Sequence, residues 1–337
     1  PKNLIISNYK YFLLLKKKLK NKKIHIYNNF NKFNKKYKKK IDYTMCAISG
    51  LEGLKPTLDS IKFSKKVAIA NKESLICGWN LIKKSLKKYN TKFIPVDSEH
   101  FSIFNLINNL DTSNIEEVII TASGGPFLNL PINKFKKIKP ETAVKHPNWP
   151  MGKKISIDSA TMMNKVFEVI EAKKIFNLDL DKFKVVTHPK SYVHAIVKFK
   201  NGLTKILIHD TDMKIPIFNS IYLDKVKNIK SEKINFNNLN NLDFKMVNIK
   251  KFPSLKLIKK IPKKDSLFET VLVSANDELV NLFLNHKIKF NDIFNNLNKI
   301  LNLKSFNTFK QKTPKNPEQI YKLNKYVRLK TRSLSIL

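Results

Sequence analysis

Asp97 and Glu99 stand two residues apart in KFIPVDSEH, at the end of an apolar run that reads as a strand. In an extended chain residues i and i+2 point to the same side, and two carboxylates on one side repel unless a cation holds them. A hard divalent metal such as Mg²⁺ or Mn²⁺ takes this kind of oxygen set, usually completed by a third carboxylate and substrate oxygens. A solvated strand end with no metal is the plainer reading of the same residues.

A helix predicted from about Ser159 to Phe176 offers a candidate third carboxylate. Thr161, Asn164, Lys165, Glu168 and Glu171 share one face at helical spacing, and Met162, Met163, Val166, Val169 and Ile170 share the other. The polar face is either the wet side of an amphipathic helix or part of a site. In the second case Ser159 as N-cap, with Asn164 and Lys165, offers a phosphate a helix terminus, an amide and an ammonium, with Glu168 in reach of a metal.

Other segments carry weaker signals. In TASGGPF, Gly124 and Gly125 let the backbone approach a ligand beside the Ser123 hydroxyl, although a tight turn needs no ligand. HPNWPMGKK holds Trp149 between Pro147, Pro150 and Gly152 and reads as a lid or as a plug for a domain seam. Lys72 in ANKES follows a strand, where it can meet an anionic oxygen or water. His188 and His194 fall on predicted strands, where a histidine is more often structural.

These residues need a scaffold, and the hydrophobic pattern supplies one. NLIIS, KIHIYNN, TMCAISG, KVAIA, KFIPV and EEVIITA read as strands separated by helical segments, which means a parallel sheet. In such sheets ligands bind at the carboxyl ends of the strands, where NKES and DSEH lie. KVVTHPKSYVHAIVKF and GLTKILIHD read as antiparallel strands, and the chain beyond Ser266 is helical. The fold class is α/β: a Rossmann-like sheet domain over residues 1–97, an α+β domain over 98–225 with a lid loop at 143–153, a connector over 226–262 with little core, and a small helical domain over 263–337.

Composition excludes several classes. The chain has 337 residues, 42% hydrophobic and 27% charged, enough to bury a core. No segment approaches the ~18 uncharged apolar residues of a spanning helix, and YFLLL at Tyr11 to Leu15 is the densest short cluster. Cys46 and Cys77 are the only cysteines and form no CxxC, against a disulfide framework or a thiolate metal site. The net charge of +39 invites a polyanion-binding reading, but lysine is spread along the whole chain rather than clustered, so no specific nucleic-acid surface is expected. Residues 1–41 lack Asp and Glu, yet their strand–helix–strand rhythm argues against a transit peptide. The seven glycines form neither GxGxxG nor GxxxxGK[ST].

Taken together, ANKES, PVDSEH, SGGPF, HPNWPMGKKISIDSATMMNK with Glu168, and HPKSYVHAIV closely resemble, in order and spacing, the 1-deoxy-D-xylulose 5-phosphate reductoisomerases. The resemblance runs from about Thr44 to near the C-terminus and is weakest over 226–262. It implies NADPH-dependent, metal-dependent isomerisation and reduction of the phosphorylated ketose to 2-C-methyl-D-erythritol 4-phosphate, in non-mevalonate isoprenoid biosynthesis. It also implies Mg²⁺ or Mn²⁺, with Co²⁺ an alternative, on Asp97, Glu99 and Glu168. Lys72, Ser98 and Glu99 would face the carbon skeleton, and Ser123, His146, Ser159, Asn164 and Lys165 would hold the phosphate. Trp149 would close over the substrate, Met151 and Gly152 would approach the nicotinamide, Asn71 and Glu73 would contact the cofactor, and His194 would support the site. The resemblance implies a homodimer; the lysine and asparagine load fits a bacterial cytoplasm first and a plastid-type organelle of an AT-rich parasite second.

One family feature is missing. The glycine-rich turn that binds the NADPH pyrophosphate near the family's N-terminus has no counterpart here. Against the family pattern the chain starts about fifty residues late, with Pro1 near the third strand. The expectation is a chain that opens inside a domain and binds NADPH poorly, with a degenerate relative that keeps the pocket without turnover as the rival.

Overall fold

The structure is a computed structural model that describes residues 1–30, 32–33, 39–107, 110–149, 151–223 and 227–336. Pro150 of the expected lid and the expected boundary at 225/226 lie outside the described residues.

Strands β1 (Asn3–Ile5) and β2 (His25–Tyr27) pair in parallel around helix α1 (Tyr9–Lys18). The Asn8 side chain caps α1 by accepting from Tyr11 N at 3.2 Å. This helix buries no residue, and Tyr9, Tyr11, Leu13 and Leu14 face outward. The single parallel sheet expected from NLIIS to EEVIITA is divided among three sheets in the described residues: β3 (Ile41–Cys46), β4 (Ser64–Ile69) and β5 (Lys92–Pro95) form a separate parallel sheet in that order, and EEVIITA belongs to a mixed one. Helices α2 (Leu54–Ile61) and α3 (Lys72–Tyr89) make its crossovers, and α4 (Ser98–Ile107) follows β5. Asn71 caps α3 by accepting from Ser74 N at 2.6 Å, and Asn90 ends it in the left-handed conformation at φ 47°.

A second sheet has the order β10-β7-β6-β8-β9, built from β6 (Ile115–Ala122), β7 (Phe183–Thr187), β8 (Val193–Phe199), β9 (Thr204–Ile208) and β10 (Lys245–Met246). β8 and β9 are antiparallel neighbours as expected, but β7 runs parallel to β6. The reason is the helical crossover between β6 and β7, formed by α5 (Lys153–Ala160) and α6 (Met163–Phe176).

Those two helices correct the expected single helix from Ser159. Met162 takes the left-handed conformation at φ 61° and breaks the chain between them. Gly152 caps α5, so Ser159 sits in its last turn and is not an N-cap. The Thr161 hydroxyl donates to Ile157 O at 3.0 Å and closes α5 before the break.

Helices α7 (Lys214–Tyr222), α8 (Phe268–Leu284), α9 (Phe290–Leu301) and α10 (Pro317–Ser335) complete the longer helices among the described residues. One apolar cluster runs from Cys46, Ile69 and Ile76 through Phe167 and Met163 to Phe268, Phe283 and Val327, and so joins α3, α6, α8 and α10. Val247, Phe252, Leu255, Leu257 and Ile261 belong to it as well. The second half of the expected connector is therefore core, carried by a 3₁₀ helix at Pro253–Lys260 that packs on α6. A smaller cluster under α4 and α6 includes Ile103, Val118, Val169 and Val197. No helix among the described residues is long and apolar enough to cross a membrane.

Candidate active site

Three elements converge at the carboxyl ends of β4 and β5. Lys72 opens α3, Asp97 and Glu99 flank the turn from β5 into α4, and Glu168 lies in the second turn of α6. The strand ends at Pro95 and Ser98 is already helical, so the turn brings the two carboxylates together, not the strand pleat invoked from the sequence. Asp97 caps that turn, accepting from Ser98 N at 3.1 Å.

Single carboxylate oxygens of Asp97, Glu99 and Glu168 lie within 4.8 Å of one another. Two ammonium groups are bonded to them: Lys165 to Glu99 and Glu168, and Lys72 to Asp97, with Glu168 Oε1 a further 3.4 Å away. The Asn164 amide donates to Glu168, and the Ser98 hydroxyl to Glu99 Oε2 at 2.6 Å. The face read as a possible wet side is therefore largely sealed: Lys165, Glu168 and Glu171 are buried.

The electrostatics follow from burial and crowding. Burial and the nearby Glu99 push the Glu168 carboxyl up to about 8. For Glu99 burial acts upward too, but Lys165 and its neighbours outweigh it and hold the group below its ordinary value. Burial alone lowers a lysine, yet Asp97, Glu168 and Glu171 keep Lys72 well above its ordinary value. Burial raises Glu171 well above the usual carboxylate range. The trio offers concentrated oxygen donors, which suits a hard divalent cation.

The phosphate candidates line the same cavity of about 250 Å³, where Ser123, His146, Ser159, Asn164 and Lys165 join Lys72, Ser98, Trp149, Met151 and His194. Gly124 and Gly125 have φ of 89° and 63°, and a Cβ on Gly125 would stand 3.1 Å from Ser159 O. The glycine turn thus lies directly against the end of α5. His146 Nδ1 accepts from Asn148 N at 3.2 Å and Trp149 N at 3.0 Å, which places the ring proton on Nε2, 3.1 Å from Ser123 Oγ. The Ser123 hydroxyl is thereby left to donate into the cavity. Burial, then Lys165, holds His146 down to about 4.

The tryptophan loop folds over this cavity. Asn148 Nδ2 donates to Pro189 O at 2.7 Å and Ser191 Oγ at 2.9 Å, and Trp149 meets His194 edge to face at 6.1 Å between centroids. His194 stacks in turn on His209 at 4.0 Å, and burial lowers its pKa to about 3. His188 instead packs on Phe244, with Nδ1 3.2 Å from Asp243 O, outside the cavity lining.

Asn71, Glu73 and Gly152 line a second cleft of about 850 Å³ that shares Lys72 and Asn164 with the first. The Asn71 amide is used within the protein, since Nδ2 donates to Gly50 O at 2.7 Å and Oδ1 caps α3. Glu73 pairs with Lys154 at 2.8 Å. Lys153, Lys325 and Arg328 add positive charge to the cleft, which suits a phosphorylated dinucleotide.

The sequence reading missed His100, Lys154 and Asp277. His100 Nε2 bonds to Glu168 O at 2.9 Å, and its place directly after Glu99 was the available signal. Lys154 is held by Glu73, Asp158 and Asp277 at 2.8, 2.9 and 3.1 Å. Asp277 is far away in sequence, and nothing local marked it.

Comparison with known proteins gives concordant results. Family models match residues 1–78 (1-deoxy-D-xylulose 5-phosphate reductoisomerase), 93–176 (1-deoxy-D-xylulose 5-phosphate reductoisomerase C-terminal domain) and 208–330 (DXP reductoisomerase C-terminal domain). A 1-deoxy-D-xylulose 5-phosphate reductoisomerase of Pelagibacter ubique is 60% identical over 337 residues, covering 99% of this chain and 87% of that protein. One from Clostridium botulinum is 40% identical over 290 residues, 86% of this chain and 74% of that protein. The solved reductoisomerase from Zymomonas mobilis in complex with NADPH superposes with a TM-score of 0.88 at 32% identity, covering 99% of this chain and 85% of that one. A DOX-P reductoisomerase in complex with NADPH, fosmidomycin and magnesium gives 0.88 at 30% identity, covering 100% and 86%.

Proposed function

The chain belongs to the 1-deoxy-D-xylulose 5-phosphate reductoisomerase family, and from that premise we propose how its own residues divide the work. The reaction is the NADPH- and divalent-metal-dependent conversion of 1-deoxy-D-xylulose 5-phosphate to 2-C-methyl-D-erythritol 4-phosphate, an isomerisation followed by a reduction. When bound, the metal supplies Lewis acidity toward the substrate's ketone and hydroxyl oxygens, and NADPH supplies the hydride.

Asp97, Glu99 and Glu168 hold the metal, Mg²⁺ or Mn²⁺ with Co²⁺ an alternative. The observation that carries this reading is their convergence within 4.8 Å, in the same cavity as the phosphate candidates. Ser123, His146, Ser159, Asn164 and Lys165 bind the phosphate, with the Ser123 hydroxyl and Lys165 as donors. Phosphate binding energy, remote from the reacting carbons, goes into ordering the Trp149 loop. Trp149 and His194 wall off water above the metal-binding carboxylates. Lys72 and Ser98 orient the carbon skeleton, and Met151 and Gly152 bring the nicotinamide beside it, with Asn71 and Glu73 shaping the cofactor cleft. Residues 1–97, 98–225 and 263–337 then serve as cofactor, catalytic and closing units. A bacterial cytoplasm is the reading its bacterial relatives support, tested by fractionation, and a homodimer is the assembly we propose, tested by light scattering.

The deciding experiment follows NADPH oxidation with 1-deoxy-D-xylulose 5-phosphate and Mg²⁺ or Mn²⁺, beside an Asp97→Asn, Glu99→Gln variant. Metal-dependent turnover that the variant loses supports the assignment. Turnover equal in both would refute the metal trio.

A further inference from the structure

Lys72 Nζ faces three carboxylates. Two of them, Asp97 and Glu168, belong to the metal trio, and the third, Glu171, does not. An ammonium and a divalent cation cannot use the same Asp97 and Glu168 oxygens at once, so a metal at the trio requires Lys72 to move. The Lys72 side chain is only 14% exposed, and a buried charge that loses its partner is costly unless another takes it up.

Glu171 is placed to take it up. Its side chain is 1% exposed and its Oε2 lies 3.9 Å from Lys72 Nζ, on the same face of α6 as Glu168 and one turn later. That Oε2 is buried and has no hydrogen-bond partner. A buried carboxylate oxygen with an open acceptor position beside a lysine is poised to receive it. On the opposite side His100 Nδ1 is also buried and unpartnered, 3.6 Å from Asp97 Oδ2.

We propose that Glu171 is a positioning residue for Lys72: it accepts the ammonium that a divalent cation displaces from Asp97 and Glu168, and holds it, still charged, at the edge of the substrate cavity. This inference rests on the assignment of Asp97, Glu99 and Glu168 as metal ligands. Glu171 touches neither metal nor substrate and acts through Lys72.

The test is a double-mutant cycle read as Mn²⁺ affinity, from the electron paramagnetic resonance signal of free Mn²⁺, without substrate or cofactor. Wild type, Glu171→Gln, Lys72→Met and the double variant are compared, with circular dichroism to verify folding. Glu171→Gln is expected to weaken Mn²⁺ binding about tenfold in the wild-type background and less than about threefold in the Lys72→Met background, because the competing ammonium is then gone. Glu171→Asp, which keeps the carboxyl group, should recover part of the loss and serves if the glutamine variant misfolds. Equal losses in both backgrounds would make Glu171 a metal ligand, with Asp97 and His100, or a distant charge, and no loss in either would remove it from the site; each of these outcomes overturns the proposal. Failure of the metal assignment itself reads differently, as Mn²⁺ affinity unchanged by Asp97→Asn.

Discussion

Lys154 Nζ lies 2.8 Å from Glu73 Oε1 and so ties the helix after the tryptophan loop to the first turn of α3. The same ammonium holds Asp158 at 2.9 Å and Asp277 of α8 at 3.1 Å. Burial and the crowding of Glu73 and Asp158 push Asp277 up to about 6 even with Lys154 beside it. Lys154→Met would leave three neighbouring carboxylates without their common cation, and should cost about 3 kcal/mol of stability. It should also raise the KM for NADPH more than that for the ketose, because Glu73 and Lys154 line the cofactor cleft. Urea titration and initial rates check both, and an unchanged urea midpoint would count against the network.

Two glycines make a matched pair. Gly125 has φ 63° and a Cβ there would press on Ser159 O at 3.1 Å, whereas a Cβ on Gly152 would meet nothing within 4 Å. Gly125→Ala is expected to lose about 1–2 kcal/mol and to raise the KM for the phosphorylated substrate. Gly152→Ala, at the N-cap of α5 where alanine is poorer than glycine, should lose less, about 0.5–1 kcal/mol. Equal melting temperatures for the two variants would contradict this.

Acid should loosen the phosphate side of the site. His146 is held down to about 4 in the fold, against about 6.5 in an unfolded chain. Between those pH values the unfolded state binds the additional proton, so stability falls as pH drops from about 6.5 toward 4 and is fully present above that window. Partial exposure of the ring keeps the effect small. The difference in urea midpoint between pH 7 and pH 5 should shrink in His146→Asn; an identical pH dependence in the two proteins would show that another group is responsible.

Trp149→Ala removes the aromatic edge that meets His194 at 6.1 Å. Its backbone N–H still bonds to His146, so the loop keeps its path. Turnover should fall with KM rising, while Mn²⁺ affinity stays within about threefold. A loss of metal binding instead would show that the loop shapes the carboxylate trio itself.

Much of this is legible in the sequence alone. Alternating strands and helices marked β3 to β6, and the DSEH and NKES segments fell at strand ends as parallel sheets require. What the sequence could not show was geometry set by distant or rare events. Met162 in a left-handed conformation splits a run that is helical by composition on both sides. Asn and Lys hid the core role of Phe252, Leu255 and Leu257, because a 3₁₀ segment follows neither the period of a helix nor that of a strand. The polar face of α6 looked solvated because periodicity reports which residues share a side, not what covers that side. Here α3 and α4 cover it, and the ion pairs follow from that burial.

The apolar cluster that unites Ile76 with Phe268 and Val327 also sets the order of events at the ribosome. Asn80 Nδ2 bonds to Pro314 O at 2.7 Å, and Lys55 N to Tyr321 Oη at 3.0 Å. At ~5–20 residues per second, α3 waits roughly 12 to 50 s after its own synthesis for these partners to emerge. During that interval the part of its apolar face that α8 and α10 cover is open to chaperones, so depletion of a nascent-chain holdase should lower soluble yield more than it alters the finished enzyme.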